Sequence, residues 1–185
     1  MTKIIRRAKY LTVNLSLLFL LSACDGTQQQ SSDTDIVSLV PLTFAQWQNK
    51  LPHYQPNIVV VDNWATWCAP CIKRFPKMVE LDQRYRAEGV SFVSINLDDH
   101  EDTDALQKAR DFLTEVNATF DNYYMDENVI DAFEKLDLLG IPAVVIYDRS
   151  GKERYRLTGD NPNKQFTDED IDAAVQELLT EQHRA

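Results

Sequence analysis

Apolar residues along this chain recur at two different periods, and the alternation between them predicts the order of elements. Residues 58–62, Ile-Val-Val-Val-Asp, form a β-branched run of the kind that fills a buried strand. Downstream, Cys71, Phe75, Met78 and Val79 fall at three- and four-residue spacings. That spacing predicts a helix beginning at the cysteines, running to about Ala87 and stopped by Gly89. Pro76 lies inside it and should kink it, because proline has no amide to close an internal turn. The same reading predicts strands over 36–42, 90–97 and 119–125, and helices over 43–51, with Thr43 as N-cap, 104–116, 127–136 and 168–180. Segments 143–148 and 153–157 pair as a hairpin across Arg149-Ser150-Gly151-Lys152. Strand and helix in alternation, closed by a hairpin and a helix, predict an α/β domain: a mixed central sheet with helices on both faces.

The first residues break this pattern. Lys3, Arg6, Arg7 and Lys9 precede an apolar run over 11–21, and no acidic residue occurs before Asp25. A basic start followed by an apolar run too short to span a bilayer comfortably reads as a signal peptide. The run ends in Leu21-Ser22-Ala23-Cys24, which resembles the lipobox of bacterial lipoproteins. By that resemblance residues 1–23 are removed and Cys24 becomes the lipidated first residue. Several acyl chains on one residue would anchor it stably, where a single chain is marginal. Asp25 resembles the signal that keeps many Gram-negative lipoproteins in the inner membrane. Residues 24–35 then form the lipidated cysteine and a polar tether of about 20 Å random-coil span, followed by a domain over 36–185.

With 185 residues, 44% of them hydrophobic, the chain supports one domain with its own core. Its net charge of −10 becomes about −14 once the four leader cations are lost. Such a surface repels nucleic acid.

With Cys24 assigned to lipid, only Cys68 and Cys71 remain. The pair admits thiol–disulfide exchange, metal binding or a structural staple. A zinc site needs four ligands, and beyond this pair the mature chain offers only the scattered His53, His100 and His183. A copper carrier would lack an obvious histidine partner. A staple would close too small a loop to remove much unfolded-state entropy. Thiol exchange fits the placement: Cys68 sits at a helix N-terminus, where free amides and the macrodipole favour the nucleophilic thiolate. Cys71 lies one turn deeper as the resolving thiol, and Pro70 suits the first turn because its missing amide would have had no partner there.

The strand 58–62, then Trp64, Trp67, Cys68, Pro70, Cys71 and Pro76, and later Gly140-Ile141-Pro142 before a strand, together resemble the thioredoxin superfamily. The wording Trp-Ala-Thr-Trp-Cys-Ala-Pro-Cys resembles its TlpA/ResA group of membrane-tethered extracytoplasmic proteins, and the helix and strand near 104–125 resemble that group's central insertion. The resemblance implies a thioredoxin-like fold over 36–182 and a dithiol cycle in which Cys68 and Cys71 form a disulfide. It implies that Asp62, taken as the end of its strand, is the buried acid behind Cys71 and accepts its proton. It implies that Pro142 is a cis proline facing the cysteines, with Ile141 and Trp67 meeting substrate, although Trp64 and Trp67 serve equally as core. One departure is Arg74, which stands where many of the group carry glutamate. A cation there lowers a nearby thiol's pKa or points into solvent.

The expected function is therefore a thiol:disulfide oxidoreductase, lipid-anchored on the extracytoplasmic face of the bacterial inner membrane and monomeric, that reduces disulfides of exported proteins such as apocytochrome c. It would need no metal and no cofactor. Electrons would come from a membrane thiol transporter of the DsbD or CcdA type. The absence of a histidine between the cysteines leans toward a reductant. Alternatives are a disulfide oxidase or isomerase, and a non-catalytic thioredoxin-fold binding or copper-delivery lipoprotein.

Overall fold

The computed structural model describes residues 37–159 and 165–182. The leader, Cys24, the tether and His183 lie outside them.

In chain order the elements are β1 Val40–Leu42, α1 Phe44–Lys50, β2 Ile58–Trp64, α2 Ala69–Tyr85, β3 Val90–Asn96, α3 Thr103–Glu115, β4 Asp121–Met125, α4 Val129–Lys135, β5 Ala143–Tyr147, β6 Glu153–Thr158 and α5 Asp168–Gln182. One six-stranded sheet runs in the order β1-β4-β3-β2-β5-β6. The first four neighbours are parallel, and β5 and β6 are antiparallel. This is the predicted mixed sheet, with β4, preceded by α3, set between β1 and β3.

Each face of the sheet follows the period of two along β2. Ile58 and Val60 join Met78, Leu81, Phe92, Val144, Ile146, Ile171 and Val175 beneath α2 and α5. Val59 and Val61 turn the other way, to Trp47, Ile95, Met125 and Ala132 beneath α1 and α4. Helix α3 packs beside α2 through Ala109 and Leu113, in a third cluster with Phe75 and both cysteines.

Several boundaries differ from expectation by a few residues, and three of them have a plain physical reason. Strand β1 begins at Val40 rather than 36; Val37 and Leu39 pack into the third cluster instead of pairing. Pro41 sits within β1, where an edge position tolerates its missing amide. Strand β2 does not end at Asp62 but continues through Trp64, because Asp62, Asn63 and Trp64 all pair with Ser94, Ile95 and Asn96. Helix α2 is continuous through Pro76 to Tyr85, and a short 3-10 turn carries the chain to Gly89, whose φ of 79° is the left-handed cap expected there.

Candidate active site

The C-terminal end of β2 delivers the chain through residues 65–67 to α2. Cys68 is the N-cap of α2, and its Sγ accepts a hydrogen bond from the Cys71 amide at 3.3 Å. Cys68 and Cys71 are joined as a disulfide with their Cα atoms 5.2 Å apart. Both are buried, Cys71 wholly and Cys68 to within 4%. Beneath them Trp64 meets Phe75 edge-on at 4.9 Å between centroids, and Phe112 closes the cluster at 5.4 Å from each. This aromatic floor fixes the first turn of α2. It also separates the two tryptophans: Trp64 is core, whereas Trp67 is 61% exposed beside Cys68.

The peptide between Ile141 and Pro142 is cis, as the resemblance implied, and Ile141 packs against the cluster that holds both cysteines. Pro142 O accepts the Gly159 amide at 2.8 Å. Gly159 carries no mark in the sequence. A Cβ there would stand 2.9 Å from Pro142 Cδ and 3.1 Å from Pro142 O, so this close approach requires glycine. Leu139, likewise unanticipated, is 89% exposed just ahead of the Gly140-Ile141-Pro142 segment.

Asp62 shares the sheet face of Ile58 and Val60, the face covered by α2, and is fully buried. Its Oδ1 accepts a hydrogen bond from Arg74 Nη2 at 2.6 Å, and Arg74 is itself only 9% exposed. Arg74 therefore does not point into solvent. Its guanidinium lies 4.9 Å from the centroid of the Phe166 ring, a cation–π contact that shields the pair. Asp62 Oδ2 and Arg74 Nε make no hydrogen bond to the described protein atoms. Burial pushes the Asp62 carboxyl above the ordinary aspartate value, the Arg74 charge and hydrogen bond pull it back, and the charge of Asp168 pushes it up again.

A second buried carboxylate holds the loop ahead of Cys68. Asp98 accepts from the Thr66 amide at 3.0 Å, the Thr66 hydroxyl at 2.8 Å and Asn96 Nδ2 at 2.8 Å, while its own amide donates to Asn96 Oδ1. No periodicity marks Asp98; in sequence it is one acid in a polar turn. Among the described residues, no group of three or more His, Cys, Asp and Glu side chains could hold a metal ion.

A family model described as Redoxin matches residues 48–175. The thiol-disulfide oxidoreductase ResA of Bacillus thuringiensis subsp. konkukian (strain 97-27) is 25% identical over 117 residues, which are 63% of this chain. ResA of Geobacillus kaustophilus (strain HTA426) is 25% identical over 132 residues, covering 71% of this chain and 68% of that one. The match spans 64% of the first relative's length, just under two thirds. Among solved structures, a crystal structure from Chlorobium tepidum, provisionally named thiol:disulfide interchange protein DsbE, superposes with a TM-score of 0.57. It is 27% identical, covering 70% of this chain and 84% of that one.

Proposed function

The chain belongs to the Redoxin family, and from that premise we propose that it is an extracytoplasmic thiol:disulfide oxidoreductase working as a reductant. The observation that carries this reading is the Cys68–Cys71 disulfide at the N-terminus of α2, clustered with Ile141 of the cis Ile141–Pro142 segment. The relatives named as thiol-disulfide oxidoreductases support it.

In the reduced protein, the amide that now donates to Cys68 Sγ and the helix dipole favour the Cys68 thiolate. The thiolate attacks one sulfur of a client disulfide; that bond breaks, and the client's other sulfur leaves as a thiolate and takes a proton from water. Cys71 then gives up its proton and attacks Cys68, so the mixed disulfide breaks and the client departs reduced. Two electrons have passed from the dithiol to the client, leaving the Cys68–Cys71 bond. Exposed Trp67 and half-buried Ile141 offer apolar contact for the client, and Asp62 is the acceptor for the Cys71 proton.

The leader and Cys24 support a lipid anchor at the extracytoplasmic face of the inner membrane, within reach of a membrane thiol transporter of the DsbD or CcdA type. Clients would be exported proteins carrying unwanted disulfides, apocytochrome c among them. The deciding measurement is the potential of the Cys68–Cys71 couple in glutathione or dithiothreitol buffers, read by tryptophan fluorescence, with Cys68→Ser as the inert control. A value near or below about −250 mV is expected for a reductant, whereas about −120 to −180 mV would make it an oxidase or isomerase. A pair that does not cycle would end the thiol-exchange reading.

A further inference from the structure

The Asp62–Arg74 ion pair is buried on both sides, and a merely structural pair would be expected to satisfy its remaining polar atoms. Here only one oxygen of the carboxylate is held. Oδ1 is bound to Arg74, while Oδ2, fully buried, has no hydrogen-bond partner among the described protein atoms. Arg74 stands three residues after Cys71 on α2, one turn along the same side of the helix. The arginine thus ties the strand that carries the acid to the helix that carries the resolving thiol.

Resting on the thiol-exchange reading, we propose that Arg74 is a positioning residue: by binding Oδ1 of Asp62 it favours the anionic carboxylate and so sets the pH above which Cys71 has a base. The step it governs is the second half of the cycle. The Cys71 thiol proton passes to Asp62 Oδ2, directly or through one water. The Cys71 sulfur bonds to Cys68 as the Cys68–client bond breaks, the client leaves as a thiolate, and the carboxylic acid returns the proton to it or to solvent.

The charged groups around the pair do not duplicate this role. From α5 Asp168 faces the arginine, its Oδ1 also buried without a hydrogen bond, and its charge disfavours a second anion at Asp62. Lys77, Glu80 and Glu169 act on Asp168 rather than on Asp62. From the flanking strands, the register partners of Asp62 are the neutral Ser94 and Val144. Phe166 covers the guanidinium. Arg74 is therefore the cation whose charge favours the Asp62 anion.

The test follows the mixed disulfide directly. Full-length reduced protein is mixed with oxidised glutathione across an acid-to-alkaline pH series, quenched in acid, and the Cys68–glutathione adduct and the Cys68–Cys71 disulfide are counted by mass spectrometry. In Arg74→Met the pH at which half the adduct resolves should rise by at least about one unit. Resolution should be slower below the new midpoint and no slower above it. Arg74→Lys, which keeps the charge, should stay close to the wild-type midpoint, and Asp62→Asn should resolve slowly at every pH. If Arg74→Met does not fold, Arg74→Gln, which keeps a donor for Oδ1 without the charge, carries the same expectation. A profile that superimposes on wild type, or one lowered equally at every pH, overturns the proposal and leaves the thiol-exchange reading standing. A wild-type protein that never forms the Cys68–Cys71 product overturns both.

Discussion

Two buried carboxylates, one on β2 and one just past β3, are built differently. Asp98 is 2% exposed and accepts hydrogen bonds from three protein donors, two of them on Thr66, so it pins the loop that enters Cys68. Asp62 is more deeply buried, yet it accepts from a single donor, and that donor is a charge. A fully satisfied carboxylate is a fastener, whereas a half-satisfied one keeps a free lone pair that can take a proton. One acid within β2 and one just past β3 thus divide the work: Asp98 holds the backbone still and Asp62 is left reactive.

The largest effect should come from breaking the reactive side. Arg74→Met leaves the Asp62 charge buried and unpaired, which costs about 3–5 kcal/mol of folding stability in chemical denaturation at neutral pH. The loss should shrink as the pH falls and Asp62 protonates. Removing both charges in Asp62→Asn/Arg74→Met should recover most of it, because a neutral pair carries little desolvation penalty. If the double variant is as unstable as the single one, the pair acts through packing on Phe166 and not through charge.

Asp98→Ala tests the fastener. It orphans the part-buried Thr66 amide and hydroxyl, which can turn to water, and the buried Asn96 Nδ2, whose desolvation costs about 1–3 kcal/mol. Stability should fall by that amount, measured by denaturant titration, while the pH midpoint of mixed-disulfide resolution stays where it was. A displaced midpoint would mean that Asp98 shares the chemistry and that the division of labour between the two acids is false.

Much of this arrangement is legible in the amino-acid sequence, and what is not legible there has a common cause. Cys68, Cys71 and Pro70 announce a helix N-terminus locally, and the β-branched run at 58–61 announces a strand, because both signals lie within one turn or one extended segment. Asp62 misleads for the same local reason: a charged residue after four apolar ones looks like a strand end. Its burial is decided by pairing with β3 and by an arginine twelve positions away on another element. Arg74 taken alone is a cation on a helix, whose usual place is solvent. Gly159 and Asp98 matter only for what the fold sets against them, Pro142 in one case and Thr66 in the other. Chemistry carried by adjacent residues shows in their order, and chemistry assembled across the sheet waits for the register.

The smallest effect is a slope. Burial holds the Asp62 carboxyl above its ordinary value despite Arg74, and Asp168 is raised in the same direction, again chiefly by burial. Between the ordinary aspartate value of about 3.9 and the raised folded values, the folded chain binds more protons than the unfolded one. Stability therefore declines as the pH rises through that window, by at most about 1.4 kcal/mol per pH unit for Asp62 and by well under that for the largely solvated, screened Asp168. Asp62→Asn should flatten the decline that belongs to Asp62 and leave the part due to Asp168. Denaturant titrations of the oxidised protein at stepped pH separate the two contributions. Stability that climbs through this window in wild type would mean that the ion pair outweighs burial. The folded protein would then hold Asp62 as the anion from well below neutrality, and the base for Cys71 would already be in place at every pH where the thiol can react.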